Sequence, residues 1–279
     1  MRLMTHNRSF GFTLIEIIIV IVILSILALG SVQFIQFSAK GYVDTVNRAE
    51  LASSANIIRE LFSRYMINAL PGSIRTSASG RCIEWLPIQS ATQYKQAPIV
   101  GDSAPSDRVI ALNVNSQLIP QGYLAIYPIG ITINELYNIA RNPGRISSWV
   151  ASIDSQTGDE STYVFSGNQS FQFEQDSPFK RLFLIGEPMA LCQDGQNLFI
   201  YKNYGFNIGM AGYPATLPNS IPNRQVIATQ IVNNSLVFRS EPASLRRNAL
   251  VSYQLLIDKA GNSDEPYALS QEVQIKNVP

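Results

Sequence analysis

From Phe12 to Leu29 almost every residue is apolar, and the only strongly polar interruption before Ser25 is Glu16. About 18 such residues at about 1.5 Å rise make a helix just long enough to cross the hydrocarbon core of a bilayer. The carboxylate is the discordant part. A charge inside a membrane-spanning helix costs about 2.5–3.5 kcal/mol on insertion scales, so Glu16 calls for a partner. One reading is a secretory signal peptide, in which a basic leader precedes the apolar run and Ala28-Leu29-Gly30 imitates a cleavage site. An acidic residue weakens the apolar region of such a peptide, which argues against it. A plain membrane anchor fits the length and leaves Glu16 unexplained.

Flanking charge sets an orientation. Arg2 and Arg8 precede the run and Ser31 to Ala39 carry no charge, which favours a cytoplasmic amino terminus and places the rest of the chain in the periplasm. The helical pattern then continues. Leu51, Ala55, Ile58, Phe62, Tyr65 and Ala69 recur at alternating steps of four and three. Ile57, Leu61, Met66 and Leu70 widen the stripe, and Arg48, Glu50, Arg59, Glu60 and Arg64 fill the remaining surface. Pro71-Gly72 ends the pattern, since proline lacks the amide a continuing helix needs. The spacing thus predicts one helix over 12–70, about 90 Å long at about 1.5 Å per residue, with a transmembrane half at 12–30. Gly30 and Gly41 each lower helix propensity by about 1 kcal/mol relative to alanine, so local bending is expected there rather than a sharp kink.

Residues 71–279 are enough for one sizeable core and consist of short alternating or β-branched runs separated by Gly, Pro, Asn and Ser. Strands are expected over Cys82–Ile88, Arg108–Val114, Tyr123–Tyr127, Thr162–Phe165, Ser170–Phe173 and Arg181–Ile185. Further strands are expected over Leu198–Tyr201, Val226–Ile231, Ser235–Phe238, Leu250–Ile257 and Glu272–Lys276. The fold class is α+β: a long N-terminal helix whose amphipathic half packs on an antiparallel β-rich head. An independent β domain on a free stalk would leave the stripe exposed. Trp85 is expected to bury against the stripe, with the other face of its strand mixed. Gly209 to Asn223, rich in Gly and Pro, reads as a long surface loop.

Several function classes are disfavoured. A net charge of +1 gives no electrostatic basis for nucleic-acid binding, and Arg246-Arg247 and Lys180-Arg181 read as solvated pairs. The single histidine, His6, lies ahead of the apolar run, so the rest of the chain has no Ser-His-Asp or Cys-His constellation and no histidine metal ligand. Neither glycine-rich phosphate loops nor hydrolase signatures are evident, and the chain does not read as an enzyme. Asp258 to Glu265 gathers oxygen ligands around Gly261 but lacks the alternating acidic spacing of a calcium loop, and a hairpin turn explains it better. No metal and no cofactor are expected. Cys82 and Cys192 either form one bridge in an oxidising periplasm or remain two buried thiols.

The third reading of the amino terminus comes from its motif. Gly11-Phe12-Thr13-Leu14-Ile15-Glu16, followed by an unbroken apolar run, resembles the signal of type IV prepilins. The resemblance implies a leader over 1–11, cut after Gly11 by a prepilin peptidase, and Phe12 as an N-methylated new terminus. It also implies that Glu16 neutralises the terminal amine of a neighbouring subunit as helices bundle. Physically, opposite charges attract strongly in a low-dielectric bundle and either alone is penalised. Ile58-Arg59-Glu60-Leu61 and Ala69 to Arg75 look like larger minor pilins and the J-type minor pseudopilins of type II secretion. Cys82 to Ile88 and Val273 to Pro279 resemble the O-type minor pilin of the mannose-sensitive haemagglutinin pilus. The implied partners are the prepilin peptidase, major and other minor pilins, the inner-membrane assembly platform, membrane lipid before assembly, and a surface glycan if the head is an adhesin.

Overall fold

The structure, a computed structural model, describes residues 11–113, 121–241, 248–258 and 266–275. It contains a 54-residue helix, α1 (Leu14–Ile67). Residues Gly11 to Val46 are all exposed, and the first buried side chain is Leu51. The chain divides into two compact units, residues 1–50 and 51–279.

In the second unit, α1 is followed among the described residues by fourteen strands. These are β1 (Arg75–Thr76), β2 (Cys82–Trp85), β3 (Ile88–Gln96), β4 (Arg108–Leu112), β5 (Tyr123–Ala125), β6 (Ile146–Thr157) and β7 (Glu160–Phe165). The rest are β8 (Arg181–Ile185), β9 (Met189–Asp194), β10 (Asn197–Tyr201), β11 (Arg224–Ala228), β12 (Val237–Glu241), β13 (Ala249–Ile257) and β14 (Tyr267–Ile275). A one-turn helix, α2 (Ile133–Leu136), is held by a capping box in which Thr132 and Glu135 satisfy each other's backbone amides.

The strands form a five-stranded sheet in the order β1-β2-β9-β10-β11, a three-stranded sheet β12-β13-β14, and a closed barrel β3-β4-β7-β6-β5-β8. All the strand pairs are antiparallel. The architecture is therefore α+β, a long apolar-to-amphipathic helix followed by an antiparallel β-rich part.

The amphipathic stripe explains why the second half of α1 is where it is. Leu51, Ala55, Ile58, Phe62 and Met66 share one core with Ile83 and Trp85 of β2, Phe238 of β12, and Val251, Tyr253 and Leu255 of β13. Phe62 meets Tyr253 edge-on at 4.6 Å, and Tyr65 lies 5.4 Å from the Trp85 ring. Each such fully buried large side chain contributes about 1.5–3 kcal/mol. The Gln271 amide donates to Ser63 Oγ at 2.6 Å, tying β14 to the helix. A separate core fills the barrel, with Phe171 and Phe173 stacked edge-to-face inside it.

Several sequence expectations are corrected. The helix stops at Ile67 instead of Leu70, because Asn68 and Leu70 are drawn into sheet-like pairing. The Asn68 carbonyl accepts from Ile88 N, and Leu70 N donates to Leu86 O, both at 2.8 Å. Cys82–Ile88 is not one strand, since Pro87 lacks an amide and separates β2 from β3. Ser170–Phe173 forms no named strand. Its backbone is shared between three segments, with bridges from Phe171 to Ser106 and from Phe173 to both Ile99 and Gly144. The 209–223 segment is not simply a surface loop, because Tyr213 and Leu217 are buried on the core around Cys82.

Candidate functional site

Two groupings of residues bear on function, one in each unit. In the first, Gly11, Phe12 and Thr13 are non-helical and α1 begins at Leu14. A Cβ built at Gly11 would meet nothing within 4 Å, and Phe12 is exposed. Among the described residues nothing obstructs the peptide between Gly11 and Phe12. Glu16 lies in the first helical turn, and its amide donates to Thr13 O at 3.1 Å and to Thr13 Oγ1 at 3.4 Å. Thr13 is thus the helix cap and Glu16 occupies the acidic position of a Thr-x-x-Glu box, where the helix dipole favours a negative charge. That local role was legible in the spacing of Thr13 and Glu16 but overlooked in the sequence reading. Every residue neighbouring Glu16 along the helix is apolar and exposed from Ile17 to Leu24.

The second grouping is a buried polar node beneath the 203–217 segment. Glu84 and Arg75, adjacent across β1 and β2, form an ion pair in which both side chains are nearly sealed from water. The other Glu84 oxygen accepts from the hydroxyls of Tyr204 at 2.8 Å and Tyr213 at 2.9 Å. The remaining Arg75 nitrogens donate to the carbonyls of Ile208 at 2.7 Å and Asn207 at 2.6 Å, and the guanidinium lies 3.6 Å over the Tyr137 ring. Burial, reinforced by the Glu84 charge, pushes the Tyr137, Tyr204 and Tyr213 hydroxyls above their ordinary ionisation range. The face of β2 opposite Trp85 is accordingly buried and paired, not mixed. No feature of the sequence links Glu84 to Arg75 or to tyrosines over a hundred residues away.

Beside this node, Cys82 of β2 and Cys192 of β9 face each other in register and are joined by a disulfide. Trp85 is fully buried in the helix core and unavailable for stacking on a glycan. Among the described residues no group of three or more His, Cys, Asp or Glu is placed to hold a metal ion. Residues 259–265 of the candidate calcium turn, the pair Arg246-Arg247, and His6 lie outside the described residues.

Among the described residues one helix, α1, is long and apolar enough to cross a membrane. Residues 6–32 match the family model described as the prokaryotic N-terminal methylation motif. The match supports a type IV pilin-like or pseudopilin-like protein, and it points to a structural, non-enzymatic role. For a pilin-like chain the motif implies processing by prepilin peptidase and assembly with other pilins. Together with the apolar helix it supports membrane anchoring followed by incorporation into a pilus. No curated protein and no solved structure matches the chain.

Proposed function

We propose that this pilin-like chain is a minor pilin of a type IV pilus resembling the mannose-sensitive haemagglutinin type. The precursor carries a leader over 1–11, and residues 12–30 anchor it in the inner membrane with a cytoplasmic amino terminus and a periplasmic head at 71–279. Cleavage between Gly11 and Phe12 and N-methylation of Phe12 precede its movement through the assembly platform into the fibre. There it helps to initiate or cap assembly, at or near the tip.

The observation that carries this reading is a single carboxylate, Glu16, four residues from the proposed new terminus on a helix otherwise uncharged and uncovered to Val32. A terminal ammonium and a carboxylate about 4 Å apart attract by about 4 kcal/mol at an effective dielectric of about 20, and more as water leaves. Docking of one helix beside another satisfies both charges, whereas a misregistered helix leaves each alone in hydrocarbon.

Separating the charge of Glu16 from its shape gives a sharper test than simple removal. Glu16→Gln keeps the polar shape and removes the charge, while Glu16→Val removes both, and the bond from the backbone amide of residue 16 to Thr13 Oγ1 is open to either variant. Both variants are expected to be cleaved normally and to be lost from fibres. A Gln variant that assembles like the parent shows that charge pairing is unnecessary. Mass spectrometry of the mature chain is expected to find methylated Phe12 at its start, and Gly11→Trp is expected to accumulate as membrane-bound precursor. Pull-down with coexpressed minor pilins tests the minor-pilin role. The matched motif serves a pseudopilin of type II secretion equally well, and genomic neighbours separate the two. An adhesin reading, in which the head binds a glycan, loses its best aromatic with the burial of Trp85.

A further inference from the structure

Among the described residues every sheet edge except one is guarded. The barrel is closed, β1 is two residues long, β11 is five residues and bulged against β10, and β12 is met by Gly80, whose carbonyl accepts from Phe238 N at 2.7 Å. The exception is β14. It runs for nine residues in unbroken register with β13, carries Glu272 as its one charge, and has neither a proline nor a bulge. Among the described residues no strand pairs with its other side. Such a long, regular, nearly uncharged edge offers the amides and carbonyls of alternate residues to an incoming strand.

A cavity of about 540 Å³ opens beside the end of that edge. It is lined by Ile67 at the end of α1, Ala69, Ile88 of β3, Arg181 and Phe183 of β8, and Ile275 of β14, and by no residue of β13. The cavity therefore lies on the unpaired side of β14. Leu269, Val273 and Ile275 are buried in the core against α1, and residues directly opposite across two strands point the same way. A side chain set opposite Ile275 on an added strand thus enters the cavity. The lining side chains are apolar apart from Arg181 and Gln274, and Ile67 on the rim is 66 % exposed. The Arg181 guanidinium lies 5.6 Å over the Phe179 ring and has no carboxylate partner among the described residues. A cation beside an apolar hole favours an acidic residue next to a large apolar one.

We propose that the β14 edge and this cavity form one docking groove for an extended segment of a second protein. The segment adds a strand to β14, buries a large apolar side chain opposite Ile275 and brings a carboxylate to Arg181. Main-chain pairing supplies affinity and the cavity supplies specificity. The groove lies wholly within the second unit, so its occupation needs neither membrane nor fibre.

Random peptides of about nine residues, matching the edge in length, are selected by phage display on the full chain in detergent, and enriched sequences are synthesised with fluorescein for polarisation measurements. They are expected to combine a large apolar residue with a nearby acidic one and to bind at least about tenfold more weakly to Arg181→Glu, with Arg181→Lys close to the parent. Ile67→Ser, on the exposed rim, is expected to weaken them as well. Methylating the peptide amides at one alternate set of positions is expected to abolish binding, and at the other set to leave it within about twofold, since only alternate amides pair. Equal loss from both sets, or undiminished binding to Arg181→Glu, overturns the inference. So does a selection that enriches nothing. If peptides bind only once residues 276–279 are removed, the chain's own terminus fills the groove; if the parent is a dimer that Ile67→Ser splits, a second copy fills it. Either result overturns the inference.

Discussion

At Glu84 a charge sits where no water reaches it, and its neighbours decide whether that is tolerable. One carboxylate oxygen accepts from Arg75 and the other from Tyr204 and Tyr213, so the desolvation cost is offset by three donors. Removing the carboxylate strands the Arg75 guanidinium. Glu84→Ala is therefore expected to lower unfolding free energy by about 3–5 kcal/mol, read from urea denaturation of the detergent-solubilised chain. Replacing both ions, as Arg75→Met with Glu84→Leu, removes the stranded charge but leaves the Tyr204 and Tyr213 hydroxyls and the Asn207 and Ile208 carbonyls without partners, so it is expected to recover only part of that loss, and a single variant as stable as the parent refutes the account. The tyrosines around the node add a pH dependence. Their folded ionisation lies above the unfolded value near 10, so the unfolded chain releases protons first as pH rises. Their contribution is complete below about pH 10 and is lost as pH climbs toward the folded values. Tyrosinate absorbance is expected to show these groups titrating together with a cooperative unfolding step, and gradual titration in a folded chain contradicts it.

Between elements, the bridge from β2 to β9 has the largest consequence. Cys82 and Cys192 are 110 residues apart in sequence, and the chain-entropy model assigns about 4.7 kcal/mol to closing a loop of that order. Cys82→Ser with Cys192→Ser is expected to cost about 4 kcal/mol in the same denaturation measurement, with the far-ultraviolet dichroism of the folded chain unchanged. Legibility at this scale followed local pattern. The stripe at Leu51, Ala55, Ile58 and Phe62 and the strands at Arg181–Ile185 and Leu250–Ile257 could be read because apolar period and chain position agreed. β6 was missed because Ser147, Ser148 and Ser152 interrupt its apolar residues, and β3 because its exposed face is Gln89, Ala91, Gln93 and Lys95 and only Tyr94 is buried on the other. β9 was missed although Cys192 itself had been singled out. The barrel has no sequence signature, since closure depends on which distant strands meet. The amino-terminal motif matched over residues 6–32 could be read because its residues are consecutive or one turn apart. The Arg75–Glu84 node could not, because its members come together only through sheet pairing and the path of 203–217.

For the molecule as a whole, the decisive fact is where burial begins. No residue before Leu51 contributes a buried side chain among those described, and the four hydrophobic cores draw only on residues from Leu51 onward. The second unit thus holds the disulfide, the ion-pair node and the packed stripe by itself. A chain shortened to begin at Asp44 loses the exposed apolar helix and keeps a carboxylate at the new helix end, where the dipole favours it. It is expected to be soluble without detergent, to retain the disulfide, and to unfold at the same urea midpoint as the full chain to within about 10%. Phe62→Ala makes the comparison stringent. Truncating a fully buried ring costs about 3–5 kcal/mol, and the loss is expected to be equal in the full and shortened chains, because the contacts of Phe62 with Phe238 and Tyr253 lie within the second unit. A markedly smaller loss in the shortened chain means that the stripe is no longer docked once the first unit is gone, and that residues 11–43 are needed for the fold as well as for the membrane.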